Sequence, residues 1–229
     1  LLLVYDKKNE DKWIADFVDN LHRKYSFNGN VLVAKKGKII YQGAKGWADY
    51  LHRDSLKINS EFELASITKT FTGTAIMQLV EAGKLNLDDN VKKFFPNFPY
   101  EGITVRLLLP HRSGMMNYVY FIDDIWRKEK RPMKKGVTNQ EVMQVIADKK
   151  PNPYTKPDKV FHYNNSNYMV LGAIIEKVTG QRYSQYMMEH VFKPAGMKNT
   201  HVYSTSEYEK IPVDVVGHDR NNFKYSVVQ

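Results

Sequence analysis

Two short runs, Val31-Leu32-Val33-Ala34 and Ile39-Ile40-Tyr41, flank Lys35-Lys36-Gly37-Lys38 and set the firmest limit on what this chain can become. Runs of this kind around a glycine predict a β-hairpin, the glycine being free to take a positive φ. Neither run alternates with polar residues, so both faces of the hairpin need cover, and helices are the expected cover. A two-stranded hairpin is marginal in water by itself. The sheet that begins here therefore needs further strands or a partner chain.

Helix signals surround that hairpin. Trp13, Ile14, Phe17, Val18 and Leu21 recur at helical spacing between about Asn9 and Tyr25, which predicts an amphipathic helix broken at Phe27-Asn28-Gly29-Asn30. Gly43, Gly46 and Trp47-Ala48-Asp49 predict that the second strand continues or bends, ahead of a polar loop reaching Ser60. Phe71, Ala75, Ile76, Leu79 and Val80 predict a helix to about Ala82, closed by Gly83 as a left-handed cap. Thr104 is placed to cap a short helix through Leu109, ended by His111-Arg112-Ser113-Gly114. Thr138-Asn139-Gln140-Glu141 is a capping-box pattern opening a helix to about Asp148. After the prolines at 151, 153 and 157, helices are expected at about Ser166 to Val178 and Tyr183 to Phe192. The remainder to Gln229 is polar and weakly patterned. Strands early and helices through the middle make this an α+β chain, with no internal repeat or interdomain linker.

Composition narrows the function. With 229 residues, 42% apolar and 26% charged, the chain is globular and long enough for a buried core in one or two domains. Its net charge of +9 comes from lysines scattered in pairs, without a basic stripe interleaved with aromatics, so no nucleic-acid partner is expected. The absence of cysteine excludes disulfides, thiolate nucleophiles and cysteine zinc sites. The histidines lack His-Glu-x-x-His or similar spacing, so no metal or other cofactor is implied. The start, Leu1-Leu2-Leu3-Val4-Tyr5, lacks a methionine and reads as a processed or trimmed end. Four apolar residues are too few for a signal-peptide core, and no run reaches transmembrane length.

The chemistry concentrates at Ser66-Ile67-Thr68-Lys69. Apolar and polar residues alternate before Ser66 and helical spacing follows it, which puts Ser66 at or next to a helix N-terminus. Lys69 then lies one turn on, about 4.5 Å along the axis, with its ammonium in reach of the Ser66 hydroxyl. A serine needs a base to become nucleophilic, and a helix N-terminus adds positive potential and N–H groups that can face an oxyanion. The same residues also read as a helix-capping serine and a surface lysine. Ten serines and 26 lysines make about one Ser-x-x-Lys expected from composition alone, so the decision rests on context.

That context resembles the serine β-lactamase and penicillin-binding-protein superfamily, in its class C β-lactamase, D-alanyl-D-alanine carboxypeptidase and esterase branch. The resemblance spans about Phe27 to Thr200 and rests on ordered pieces: the hairpin, Ser66-x-x-Lys69, Leu79-Val80-Glu81-Ala82-Gly83-Lys84-Leu85, His111-Arg112-Ser113-Gly114, Tyr163-Asn164-Asn165, Leu171-Gly172, and Lys193-Pro194-Ala195-Gly196-Met197. It implies a β-lactamase-like α+β fold, an antiparallel sheet flanked by helices plus a mostly helical region. It also implies that Tyr163, the tyrosine of Tyr-x-Asn, relays the proton between Ser66, Lys69 and the leaving group. Asn165 would hydrogen-bond Lys69 and the substrate amide. Tyr163-Asn164-Asn165 read without the resemblance is a loop tyrosine and a helix-capping asparagine. His111 invites a Ser-His-Asp triad, but no Gly-x-Ser-x-Gly elbow accompanies it, and the resemblance treats its segment as a structural turn.

The third motif of that branch, Lys-Thr-Gly or His-x-Gly on a C-terminal strand, has no match after Tyr163; Lys134-Lys135-Gly136 precedes it, in an expected loop. The expectation is thus one β-lactamase-like domain over 1–229 without its C-terminal sheet strands. Residues 1–62 form the helix and hairpin, 63–200 the helical part with the site, and 201–229 the start of the remainder. By resemblance the substrate is a small molecule or short peptide (a β-lactam, D-alanyl peptide or ester) and the location periplasmic or secreted. The alternative is a non-catalytic binding or assembly module of the same fold, its sheet completed by a partner chain or a C-terminal segment.

Overall fold

The helix expected before the hairpin is present as α1 (Glu10–Tyr25), with Glu10 and Asp11 in its first turn and His22, Arg23 and Lys24 in its last, the order that complements the helix dipole. It ends at Ser26, which is left-handed at φ 56°. These elements belong to a computed structural model that describes residues 9–130, 137–203, 215–221 and 224–227. The Leu1–Tyr5 run and Lys134-Lys135-Gly136 lie outside the described residues.

The hairpin pairs β1 (Gly29–Lys35) with β2 (Lys38–Lys45), antiparallel, with Val33 opposite Tyr41 and an irregularity between Val33 and Ala34. Its two-residue turn, Lys36-Gly37, has φ 49° and 75°, the positive pair that matches strand twist. α1 packs on β2 and buries Val18, while Leu32 and Ile39 stay exposed. The second strand bends at Gly46 rather than running on. There φ is +92°, and a Cβ would sit 2.0 Å from the Asn28 Oδ1. Asn28 uses this close approach to accept from the Trp47 N–H at 2.5 Å and donate to the Trp47 carbonyl at 2.9 Å. Beyond the bend, β3 (Trp47–Asp49) pairs with β4 (Asp54–Ser55).

The tail carries strands that its sequence did not announce. β5 (His218–Asn221) pairs with β6 (Lys224–Val227), and ahead of them the Val216 N–H donates to the Ala48 carbonyl of β3 at 2.9 Å. His218, Asp219, Arg220 and Asn221 offer neither apolar alternation nor β-branching, so the first of these strands carries no sequence signal of its own. Among the described residues the strands form three two-stranded antiparallel ladders. The described residues up to Glu63, with those after Pro212, form one compact unit, and those from Leu64 to Ile211 form a second.

The second unit is helical and holds the main core. α2 (Thr68–Glu81) and α6 (Asn165–Thr179) pack together, with Ala75, Ile76 and Leu79 of the first and Val170, Leu171, Ile174 and Ile175 of the second all buried. α5 (Asn139–Lys149) adds Val142, Met143 and Ile146, and its capping box is made by Thr138 and Glu141 as expected. The shorter α3 (Val105–Leu108) starts at Thr104, whose side chain accepts from the Leu107 N–H, and α4 (Ile122–Lys128) follows it. Gly83 and Gly180 take the left-handed conformation after α2 and α6. The last expected helix is not uniform: α7 (Tyr183–Tyr186) passes into a π-helical turn, Met187–Phe192. The wider turn brings Met187, Val191 and Phe192 into the core together.

Candidate active site

Ser66 lies in a 3-10 turn, Ala65–Ile67, that leads directly into α2. Ala65 before it is left-handed at φ 44°, a conformation that costs a Cβ-bearing residue energy and persists only where the surroundings impose it. The turn exposes the Ser66 hydroxyl at the N-terminal end of α2, where the helix dipole and unpaired N–H groups favour developing negative charge.

The four residues singled out from sequence converge on one point. The Ser66 Oγ is 2.5 Å from the Tyr163 hydroxyl, and the Lys69 Nζ donates to the Ser66 Oγ at 3.0 Å. Lys69 also donates to the Asn165 Oδ1 at 2.9 Å, and its ammonium lies 4.9 Å from the Tyr163 ring centroid and 5.7 Å from that of Tyr168. The Lys69 ammonium first, and the Ser66 hydroxyl second, hold the Tyr163 phenol below its ordinary pKa, against a small opposing effect of burial. Positive charge beside a phenol favours phenolate, so Tyr163 is suited to accept the Ser66 proton.

The start of α6 is what presents Tyr163 and Asn165. Asn164 is the capping asparagine: its Oδ1 accepts from the Ser166 N–H at 2.8 Å and its Nδ2 donates to the Met115 carbonyl at 2.5 Å. That frees Asn165, the first helical residue, to face Lys69. Ser166 ties the same end to the preceding loop, donating to the Met116 carbonyl and accepting from the Tyr118 N–H, both at 2.8 Å. The Ser113 hydroxyl donates to the Asn167 Oδ1. Gly114 is required here, since at φ +74° a Cβ would lie 2.2 Å from the Thr155 carbonyl oxygen. Of these supports, a helix-capping asparagine was expected in Tyr163-Asn164-Asn165 and is Asn164; Ser166 and Asn167 were not singled out in advance. Their signal was the polar run Asn164-Asn165-Ser166-Asn167 at the mouth of an otherwise apolar helix.

His111 is no triad base. It is buried, has φ 57°, and lies with its ring 4.5 Å from that of Tyr163; its bonds run to backbone and Asn167, not to Ser66. Burial pushes its pKa down, with the Lys69 charge adding to that.

A cavity of about 240 Å³ adjoins the site, lined by Lys69, Asn165, Tyr118, Tyr168, Thr72 and Tyr183 among others. Its far wall is polar: the Thr72 and Tyr183 hydroxyls are 2.6 Å apart. A larger cavity, about 480 Å³, lies at the C-terminal end of α2 beside Lys84, Asp89 and Arg106. Arg106 is paired there with Asp88 and Lys93 with Asp89. It holds no serine or tyrosine, so size does not locate the chemistry. Among the described residues no cluster of three His, Cys, Asp or Glu side chains could hold a metal, and no helix is long and apolar enough to cross a membrane.

Residues 12–223 match the Beta-lactamase family. Penicillin-binding protein 4* of Bacillus subtilis (strain 168) is 36% identical over 198 residues, covering 86% of this chain and 43% of that protein. Among solved structures, a penicillin binding protein from Bacillus halodurans superposes with TM-score 0.78 at 26% identity, over 92% of this chain and 63% of the other. FmtA from Staphylococcus aureus gives TM-score 0.79 at 26% identity, over 100% of this chain and 60% of the other. The chain thus spans about two fifths of that curated Bacillus subtilis relative.

Proposed function

The chain belongs to the Beta-lactamase family, and from that membership we propose that the protein is a serine hydrolase of the class C-like branch, working through an acyl intermediate on Ser66. The observation that carries this reading is the Ser66 Oγ held 2.5 Å from Tyr163 and 3.0 Å from Lys69. Tyr163, as phenolate, takes the Ser66 proton while the serine oxygen attacks the substrate carbonyl. The Lys69 ammonium balances charge on the phenolate, and the Ser66 backbone N–H supports the tetrahedral oxyanion. Tyr163 then passes its proton to the leaving nitrogen or oxygen, leaving acyl-Ser66. In the second half a water gives its proton to Tyr163 and attacks the ester, and as the acyl group leaves Tyr163 returns that proton to the Ser66 oxygen, restoring the serine and the phenolate. Asn165 holds Lys69 through its carbonyl oxygen, and its amide N–H groups serve the substrate's own amide.

The substrate class is a β-lactam, a D-alanyl peptide or a simple ester. The relatives named penicillin-binding proteins favour the first two, and a periplasmic or secreted location follows from the same reading. The alternative reading is a non-catalytic module of the same fold. A fluorescent penicillin and a fluorophosphonate, applied to the full-length protein, separate the two. Labelling on Ser66 that disappears in Ser66→Ala supports the hydrolase; no labelling of either form by either probe rejects it for the non-catalytic module.

A further inference from the structure

We propose that His111 is a positioning residue for the reaction: its uncharged ring, accepting through Nδ1, fixes the backbone on which Tyr163 stands and so sets the aim of the phenol at Ser66. This rests on the reading of Tyr163 as the base.

Two bonds from one residue bracket the tyrosine. The His111 carbonyl accepts from the His162 N–H at 2.9 Å, and the His111 Nδ1 accepts from the Asn164 N–H at 3.2 Å. The residues on either side of Tyr163 are therefore both tied to His111, and its imidazole lies against the Tyr163 ring at 4.5 Å and 38°. A backbone N–H can only donate, so Nδ1 must be the unprotonated nitrogen and the ring proton sits on Nε2. Asn167 contributes its Nδ2 to the same Nδ1 at 3.2 Å, a second donor that fits only an acceptor. The left-handed backbone at His111 is what turns both its carbonyl and its ring toward the 162–164 segment.

Protonating this ring would put a donor at Nδ1 against two donors. The charged and titratable groups facing it are the Lys69 ammonium from α2, the Tyr163 phenol from the loop and Tyr168 from α6, whose ring is 5.2 Å away. Arg112, the next residue in the chain, is paired with Asp158. No carboxylate among these touches the ring to welcome a proton, so the neutral form belongs to the working site. A displacement of about 1 Å at Tyr163 is enough to cost about 10²-fold.

Two substitutions divide the roles of the ring. His111→Phe keeps an aromatic face and removes the acceptor; His111→Asn removes the face, keeps an acceptor at the δ position and tolerates a left-handed backbone. In full-length protein labelled by a fluorophosphonate, His111→Phe should lower the rate constant about 10–100-fold at unchanged final labelling. His111→Asn should return it to within about fivefold of the native protein. A merely structural histidine would lower the amount labelled and leave the rate constant alone, which overturns the proposal, as does equal slowness of the two variants. Should His111→Phe not fold, the pH profile decides. On acidification the native rate should fall with a limiting slope of two protons, Tyr163 and His111, and the His111→Asn rate with a slope of one. Equal slopes overturn the proposal. If the native protein is not labelled at Ser66 at all, the failure is that of the hydrolase reading and is visible before any His111 variant is made.

Discussion

At Lys69 a single ammonium does three things, donating to Ser66, donating to Asn165 and lowering the Tyr163 pKa. The last is separable by experiment. In the proposed reaction Tyr163 acts as base only when deprotonated, so acylation should rise with pH through its lowered pKa and level off above it. In Lys69→Met the positive neighbour is gone and the phenol returns toward its ordinary value near 10. The rising limb of the labelling rate against pH should therefore move to higher pH; an unmoved limb would mean that another group titrates. Tyr163→Phe should lose the limb altogether and cost about 10²–10⁴ in rate. Ser66, Lys69, Tyr163 and Asn165 were all legible in sequence, because two short motifs carry them and their order matches a family. His111, Asn164 and Ser166 were not legible as supports, since what they do is bond backbone 50 or so residues away, and sequence spacing holds no record of that.

Elements were legible where a helix declares its own ends. The Thr138 capping box, the Thr104 cap and the left-handed Gly83 and Gly180 are local chemistry, readable within four residues. The start of α6 differs in kind. Asn164 caps the helix and also satisfies the buried Met115 carbonyl. Thr138→Ala should cost about 1 kcal/mol, the usual loss of a cap. Asn164→Ala should cost more, about 2–4 kcal/mol, because an unpaired buried carbonyl is added to the lost cap. Urea midpoints at unchanged m-value measure both, and equal losses would show that the Met115 bond contributes nothing. The β5–β6 hairpin and the break into a π-turn after Tyr186 escaped the sequence for related reasons. His218–Asn221 shows no period of two and Lys224–Val227 is only four residues long, and a π-turn depends on what the core needs at Met187 and Phe192.

On the scale of the molecule, the hydrophobic cluster lies wholly within the helical unit, from Ala75 to Phe192. Ile174, fully buried in α6, is a fair probe of it, and Ile174→Ala should cost about 2–5 kcal/mol. The same unit holds His111, whose pKa burial pushes below 6.5, and this gives the unit a pH dependence of known sign. The native state keeps His111 neutral, whereas the unfolded chain protonates it near 6.5. Between that value and the lowered native one, unfolding takes up a proton, so stability falls as pH falls and the full contribution is present only above 6.5. The slope from one such group is at most about 1.4 kcal/mol per pH unit. His111→Asn has nothing to protonate. Its urea midpoint should be flatter than that of the native protein in the interval just below pH 6.5, while both continue to drop at lower pH as salt-bridged carboxylates such as Asp88 and Asp89 take up protons. Parallel curves across that interval would mean that the buried ring is charged in the folded protein, and that its Nδ1 does not accept from Asn164.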